Sequence, residues 1–340
     1  MAVSLLPHGP LALLRQTSFV LNGIVNFTQA GFHRNSKHFP SLSSGLTNLA
    51  GVLCVVTGAN AGLGYAAALA LANRGASVVC VCRNASRGEA AVSAIKAETG
   101  NENVTLQHCD ISSLEDSRNL ANFLRGKPVH CLINNAGVLL SERQTTVFNK
   151  KEVESSFAIN TLGTFAVTET LMPNLMLAAD APHAQLGKPR VVTVTSGGMY
   201  TAPLESCDFD PPIAQAGRNF DGVKLYAMHK RQQVALTEHW HRSYPSITFV
   251  SMHPGWAETP GVQNALPSFS AQMQGKLRTP EQGADTVVWL ASLPSDAREL
   301  QGGELYFDRQ QVRKQLWFGF GTHHSEEAIK ELGENLHKYI

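Results

Sequence analysis

From Gly51 onward the chain alternates short apolar runs rich in β-branched residues with longer stretches whose apolar positions recur every three or four residues. The first pattern fits strands buried on both faces, and the second fits the helices that cover them. Seven strands are read this way, over 52–56, 78–82, 104–108, 129–133, 190–195, 247–252 and 304–307. Helices are expected over 62–74, 86–98, 113–124, 226–243, 280–293 and 325–338, the third opening on Ser113 as a cap with Asp116 three residues on. This order predicts a doubly wound, Rossmann-type three-layer α/β fold with a seven-stranded, mostly parallel sheet and right-handed crossovers. Ligands of such sheets sit at the carboxyl ends of the strands.

Composition adds little against this picture. With 340 residues, 43% of them hydrophobic, the chain can bury one large core. Its 28 basic and 27 acidic side chains leave a formal charge of +1, which gives no bulk field toward nucleic acid. Cys54, Cys80, Cys82, Cys109, Cys131 and Cys207 show no Cys-x-x-Cys spacing and are read as reduced thiols, in keeping with a reducing intracellular compartment, cytoplasmic or organellar. His323-His324 has no accompanying ligand motif, so no metal is expected and a solvated loop is. One asymmetry stands out: no Asp or Glu precedes Glu89. Residues 1–50 combine apolar and hydroxyl side chains with sparse positive charge, the composition of a mitochondrial transit peptide or of a membrane-facing amphipathic arm. No run there reaches the roughly 18 residues of a spanning helix.

Chemistry enters at the end of the first strand. Thr57-Gly58-Ala59-Asn60-Ala61-Gly62-Leu63-Gly64 places glycines between a strand and a helix N-terminus, where backbone N–H groups can meet a pyrophosphate. Nineteen residues after Gly64 the second strand ends in Arg83, followed by Arg87, where an NAD site would carry an acid. A guanidinium there suits a 2′-phosphate, so NADP(H) is the expected cofactor. Tyr226 and Lys230 lie one turn apart on one helix face. A tyrosine needs its pKa moved from about 10 towards 7 to act as acid or base, about 4 kcal/mol, and a nearby ammonium favours that change.

In content and order these motifs resemble the short-chain dehydrogenase/reductase family over about residues 51–310. The Thr57–Gly64 loop is similar to that family's Thr-Gly-x-x-x-Gly-x-Gly, Asn134-Asn135-Ala136-Gly137 to its Asn-Asn-Ala-Gly, and Pro254-Gly255 with Thr259 to its nicotinamide-side loop. Within the family, the stretches Asn160-Thr161-Leu162-Gly163, Thr195-Ser196-Gly197-Gly198-Met199, Lys230-Arg231-Gln232-Gln233 and Ser251-Met252-His253-Pro254-Gly255-Trp256-Ala257 resemble the branch called dehydrogenase/reductase family member 12, as do residues near Phe19 to Phe32. The resemblance implies catalytic roles for Asn160, Ser196, Tyr226 and Lys230. It implies cofactor contacts at Gly58, Asn60, Gly62, Leu63, Gly64, Asp110, Ile111, Asn135, Ala136, Gly137, Pro254, Gly255 and Thr259, with Tyr226 and Lys230 also facing the cofactor. Asn160 is expected to hold a water that links Lys230 to solvent, and an arm shared with the branch is expected to be retained.

The implied activity is NADP(H)-dependent interconversion of a carbonyl and an alcohol on a lipophilic small molecule. A nucleotide-binding scaffold or sensor with little turnover is the alternative, and an extended-branch epimerase a more distant one. The expected layout is an N-terminal arm over 1–50, the NADP-binding domain over 51–310 and a C-terminal extension with a helix over 311–340. Peripheral membrane contact through the arm and homo-oligomerisation stay open as partner expectations. Between Ser196 and Tyr226 lie 29 residues, an insertion relative to compact members that reads equally as surface loop or pocket wall. His253 is read as structural, and Trp256 as pocket lining or core.

Overall fold

The computed structural model describes residues 10–39, 48–204, 220–316 and 322–340; most of the insertion before Tyr226 lies outside them. Among the described residues ten strands are formed: β1 (Leu53–Thr57), β2 (Ser77–Cys82), β3 (Val104–His108), β4 (Cys131–Asn134), β5 (Thr145–Phe148), β6 (Lys151–Glu154), β7 (Arg190–Val194), β8 (Thr248–Met252), β9 (Leu305–Phe307) and β10 (Gln310–Val312). The main sheet runs β10-β9-β8-β7-β4-β1-β2-β3, parallel throughout except for the β9–β10 hairpin at one edge. It therefore has eight strands, one more than expected. The extra strand is the polar segment Gln310–Val312, largely exposed at the edge, where nothing requires an apolar pattern. β5 and β6 form a separate antiparallel hairpin.

Side-chain alternation divides the core in two. Cys54, Val56, Val78, Cys80, Ile133, Val192 and Val250 face the helices Gly62–Ala72 and Pro280–Ser292. Val55, Val79, Leu132, Val191 and Phe249 face the other layer, which includes Leu114–Phe123, Thr164–Thr170, Gly222–Ser243 and the C-terminal helix Glu326–His337. Burial on both faces is why these strands read as continuous apolar runs. His324 is not a solvated loop residue: its side chain is 3% exposed and lies 3.1 Å from Glu238.

The N-terminal arm is part of the packed body. Pro10–Asn22 and Gln29–Ser36 are helices joined by a wide turn, Gly23–Phe27. Phe27 is buried in a third cluster with Met199, Tyr200, Val234, Leu305 and Phe307, and Phe19 and Trp256 pack against it. Arg278 fixes the junction, donating to the carbonyls of Asn26 and Phe27 and making two bonds to Asp308, which also accepts from Asn35. Among the described residues, no helix is long and apolar enough to cross a membrane.

Candidate active site

The glycine loop is shaped by what its neighbours forbid. Gly58 and Gly62 have φ of +68° and +55°, a region that L side chains rarely adopt. A β-carbon on Gly64 would collide with the Gly58 carbonyl and the Asn135 amide. The helix that follows starts without a side-chain cap at Ala61, which leaves its first N–H groups turned to the loop. Asn60 and Leu63 belong to this turn, and Leu63 leans towards Gly283 of the Pro280–Ser292 helix.

Thr57 ties this loop to the Asn-Asn-Ala-Gly segment. Its Oγ1 accepts from the N–H of Asn135 and of Ala136 at 2.9 and 3.0 Å, and Asn135 Nδ2 donates to the Thr57 carbonyl at 2.9 Å. At the next strand ends, Arg83 follows β2 with its side chain 64% exposed, 3.9 Å from the Asp110 carboxylate. Asp110 is held by the Ser112 hydroxyl and N–H, and its own N–H donates to Asp116. Ile111 is buried, and its carbonyl abuts Gly163. Gly255 has φ +75° and packs against Arg278, between Pro254 and the Thr259 hydroxyl that caps Pro260–Ala265.

The four residues of catalytic type converge beside these loops. Ser196 follows β7, with the Tyr226 phenol beside it. Tyr226 keeps some accessible surface but is densely surrounded by protein; burial pushes its phenol up to about 12, with the neighbouring Ser196 hydroxyl pulling the other way. Lys230 is buried, donates to the Val194 carbonyl at 2.9 Å and to Gln233 Oε1 at 3.0 Å, and lies 5.4 Å from the Tyr226 ring centre. Burial holds its ammonium down to about 7. Asn160 sits in a wide helical turn, Ala158–Gly163, with its side chain clamped to the backbone N–H and carbonyl of Val138 at 2.8 Å each. Such turns inside helices recur at functional sites. The Asn160 carbonyl accepts from Gln233 Nε2 and Thr164 Oγ1.

Two further groups were not picked out from sequence as site residues. Gln233 touches both Lys230 and Asn160, and the only signal was a polar run, Lys230 to Gln233, on a buried helix face. Phe19 and Phe27 approach Gly197, next to Ser196, so the arm forms an aromatic wall there. Trp256 packs with them and with Phe269, and His253 is buried against Phe307, its imidazole held down to about 3 by burial and by Arg278.

Fold and loops together define a Rossmann-type dinucleotide-binding architecture with a Ser-Tyr-Lys-Asn group at the strand ends. Comparison with known proteins agrees: the short chain dehydrogenase family matches residues 53–203. The human protein "Dehydrogenase/reductase SDR family member 12" is 39% identical over 330 residues, covering 96% of this chain and 98% of the relative. Human "Polyprenol dehydrogenase" and "Retinol dehydrogenase 11" are each 29% identical over 78% of this chain, covering 82% and 81% of those relatives. Among solved structures, the Pseudomonas aeruginosa RhlG/NADP complex has a TM-score of 0.57 at 22% identity, over 76% of this chain and 94% of that one. A 3-ketoacyl-(acyl-carrier-protein) reductase from Brucella melitensis with NADH scores 0.54 at 24% identity, over 72% and 92%. The chain belongs to the short-chain dehydrogenase/reductase family of oxidoreductases.

Proposed function

We propose that this chain is an NADP(H)-dependent oxidoreductase that interconverts a carbonyl and an alcohol on a lipophilic small molecule, with Tyr226 as acid/base. The observation that carries the reading is the meeting of Ser196, Tyr226 and Lys230 with Asn160 beside the glycine loop. The left-handed Gly58 and Gly62, and the blocked β-carbon position at Gly64, form a cradle that suits a pyrophosphate. When bound, the nicotinamide supplies or accepts hydride at the substrate carbon. Ser196 holds the substrate oxygen, and Tyr226, whose burial keeps the phenol protonated at neutral pH, gives that oxygen a proton in the reductive direction. Lys230 sits where its positive charge favours the phenolate that remains.

Arg83 supports the choice of NADP(H): it is an exposed cation at the end of β2, where NAD sites carry an acid. A charge-assisted fork to a phosphate is worth about 1.5–3 kcal/mol, or about ten- to a hundredfold. NADPH is therefore expected to bind at least about tenfold more tightly than NADH at low ionic strength. Arg83→Ala should weaken NADPH with little effect on NADH; fluorescence titration with both cofactors measures this, and equal affinities in the parent protein would overturn it.

The lipophilic substrate is supported by the aromatic wall at Gly197 and by the arm's outer face, where Leu13, Leu14, Val20, Leu21, Ile24 and Val25 form one exposed apolar stripe. Two relatives are named for polyprenol and retinol, both long apolar alcohols. The stripe, with no acidic residue before Glu89, suits peripheral contact with an anionic lipid surface. Vesicles of phosphatidylcholine with phosphatidylserine should carry the parent protein in flotation, and the double substitution Leu21→Asp with Ile24→Asp should release it while NADPH binding persists. Flotation that survives both changes counts against this face. The activity itself is tested by NADPH oxidation with retinal, long-chain aldehydes, steroid ketones and quinones; stoichiometric NADPH binding without oxidation across the panel favours a scaffold.

A further inference from the structure

The long helix Gly222–Ser243 carries Gln232 and Gln233 side by side, both buried, and only one of them reaches the catalytic group. Gln232 Oε1 accepts from Thr161 Oγ1 at 2.6 Å, a tie between two helices. Gln233 has different contacts at its two ends. Its Oε1 accepts from Lys230 Nζ at 3.0 Å, while its Nε2 donates to the Asn160 carbonyl at 2.7 Å and lies 3.2 Å from Thr164 Oγ1. The ammonium thus has the Val194 carbonyl and the Gln233 amide as protein acceptors. Gly137 leaves little slack opposite them, for a β-carbon there would lie 3.1 Å from Asn160 Oδ1 and 3.4 Å from Lys230 Nζ.

We propose that Gln233 is a positioning residue for Lys230, its side-chain amide spanning the gap between the Lys230 ammonium and the Asn160 carbonyl with fixed protein atoms. An amide has a donor and an acceptor at opposite ends, so it satisfies both groups at once. Lys230 is held in place by the fold before any ligand arrives. This rests on the catalytic reading of Lys230 given above.

The distinguishing feature is the rank order of two variants. Gln233→Met keeps shape and volume but offers the ammonium only a weak acceptor. Gln233→Ala opens a polar gap bordered by Lys230 Nζ, the Asn160 carbonyl and Thr164 Oγ1, enough partners for a water to restore the bridge. Packing alone ranks the isosteric Met above Ala; positioning ranks Ala above Met. NADPH affinity, read by fluorescence titration, is expected to fall about tenfold or more in Gln233→Met and by clearly less in Gln233→Ala. NADPH-dependent reduction of dodecanal should follow the same order, and Gln232→Met should leave affinity near that of the parent. If Gln233→Met does not fold, Gln233→Leu against Gln233→Ser reads the same ranking. Met equal to the parent, or Ala below Met in both measurements, overturns the proposal. A parent protein that binds NADPH but reduces no carbonyl counts against the proposed function instead, and the affinity ranking still decides the role of Gln233.

Discussion

Tyr226→Phe is expected to lower turnover by about 10²–10⁴-fold, the usual contribution of a positioned proton donor. The ring stays in place and only the hydroxyl is removed, so NADPH affinity should remain close to that of the parent. Lys230→Ala should differ in kind, because it removes a buried ammonium bonded to Val194 and Gln233 and should damage cofactor affinity and turnover together. Steady-state rates with fluorescence titration separate the two patterns. Near-normal turnover in the phenylalanine variant would remove Tyr226 from its assigned role, and the acid/base scheme with it.

Arg278→Met is expected to destabilise the fold by about 3–5 kcal/mol, the cost of leaving one partner of a buried ion pair unmatched. The side chains of Arg278 and Asp308 are 2% and 4% exposed, and Asp308 would keep only Asn35 of the partners described above. The carbonyls of Asn26 and Phe27 would lose their guanidinium donors in the same step. Equilibrium denaturation measures the loss, and limited proteolysis should find the arm released first. A variant as stable as the parent would mean that the apolar cluster around Phe27 suffices to hold the arm. Truncation of the arm should be equally damaging, since it strips Phe27 from Phe307 and Met199.

How much of this was legible in the sequence depends on what each segment packs against. The seven parallel strands were readable because helices on both sides of the sheet demand continuous apolar residues. β10 was not, since Gln310 and Gln311 lie exposed on an edge. The hairpin β5–β6 was missed for the same reason: Thr145, Val147, Lys151 and Glu152 face outward. The segment Ser155 to Thr168 is buried nearly all round, which erases helical periodicity, and its wide turn at Asn160 has no distinctive composition. The glycine loop and the Tyr226–Lys230 spacing stood out because chemistry restricts residue type there more tightly than packing does. Gln233 did not, because a glutamine in a helix carries no mark of whether it meets water or a lysine. The arm was ambiguous because it is apolar on both sides, one stripe turned to Phe307 and Trp256 and the other outward.

The Arg278 clamp also sets an order of events during synthesis. Asn26 and Arg278 are 252 residues apart, so a ribosome adding about 5–20 residues per second takes about 13–50 s to supply the second after the first. For most of that interval the nascent arm is outside the ribosome with its apolar sides uncovered, while its final seat beside Phe307 and Asp308 has not been made. Any chaperone or lipid surface that engages the arm at this stage competes with no part of the finished protein. The arm is thus open to capture before the sheet it packs on is complete.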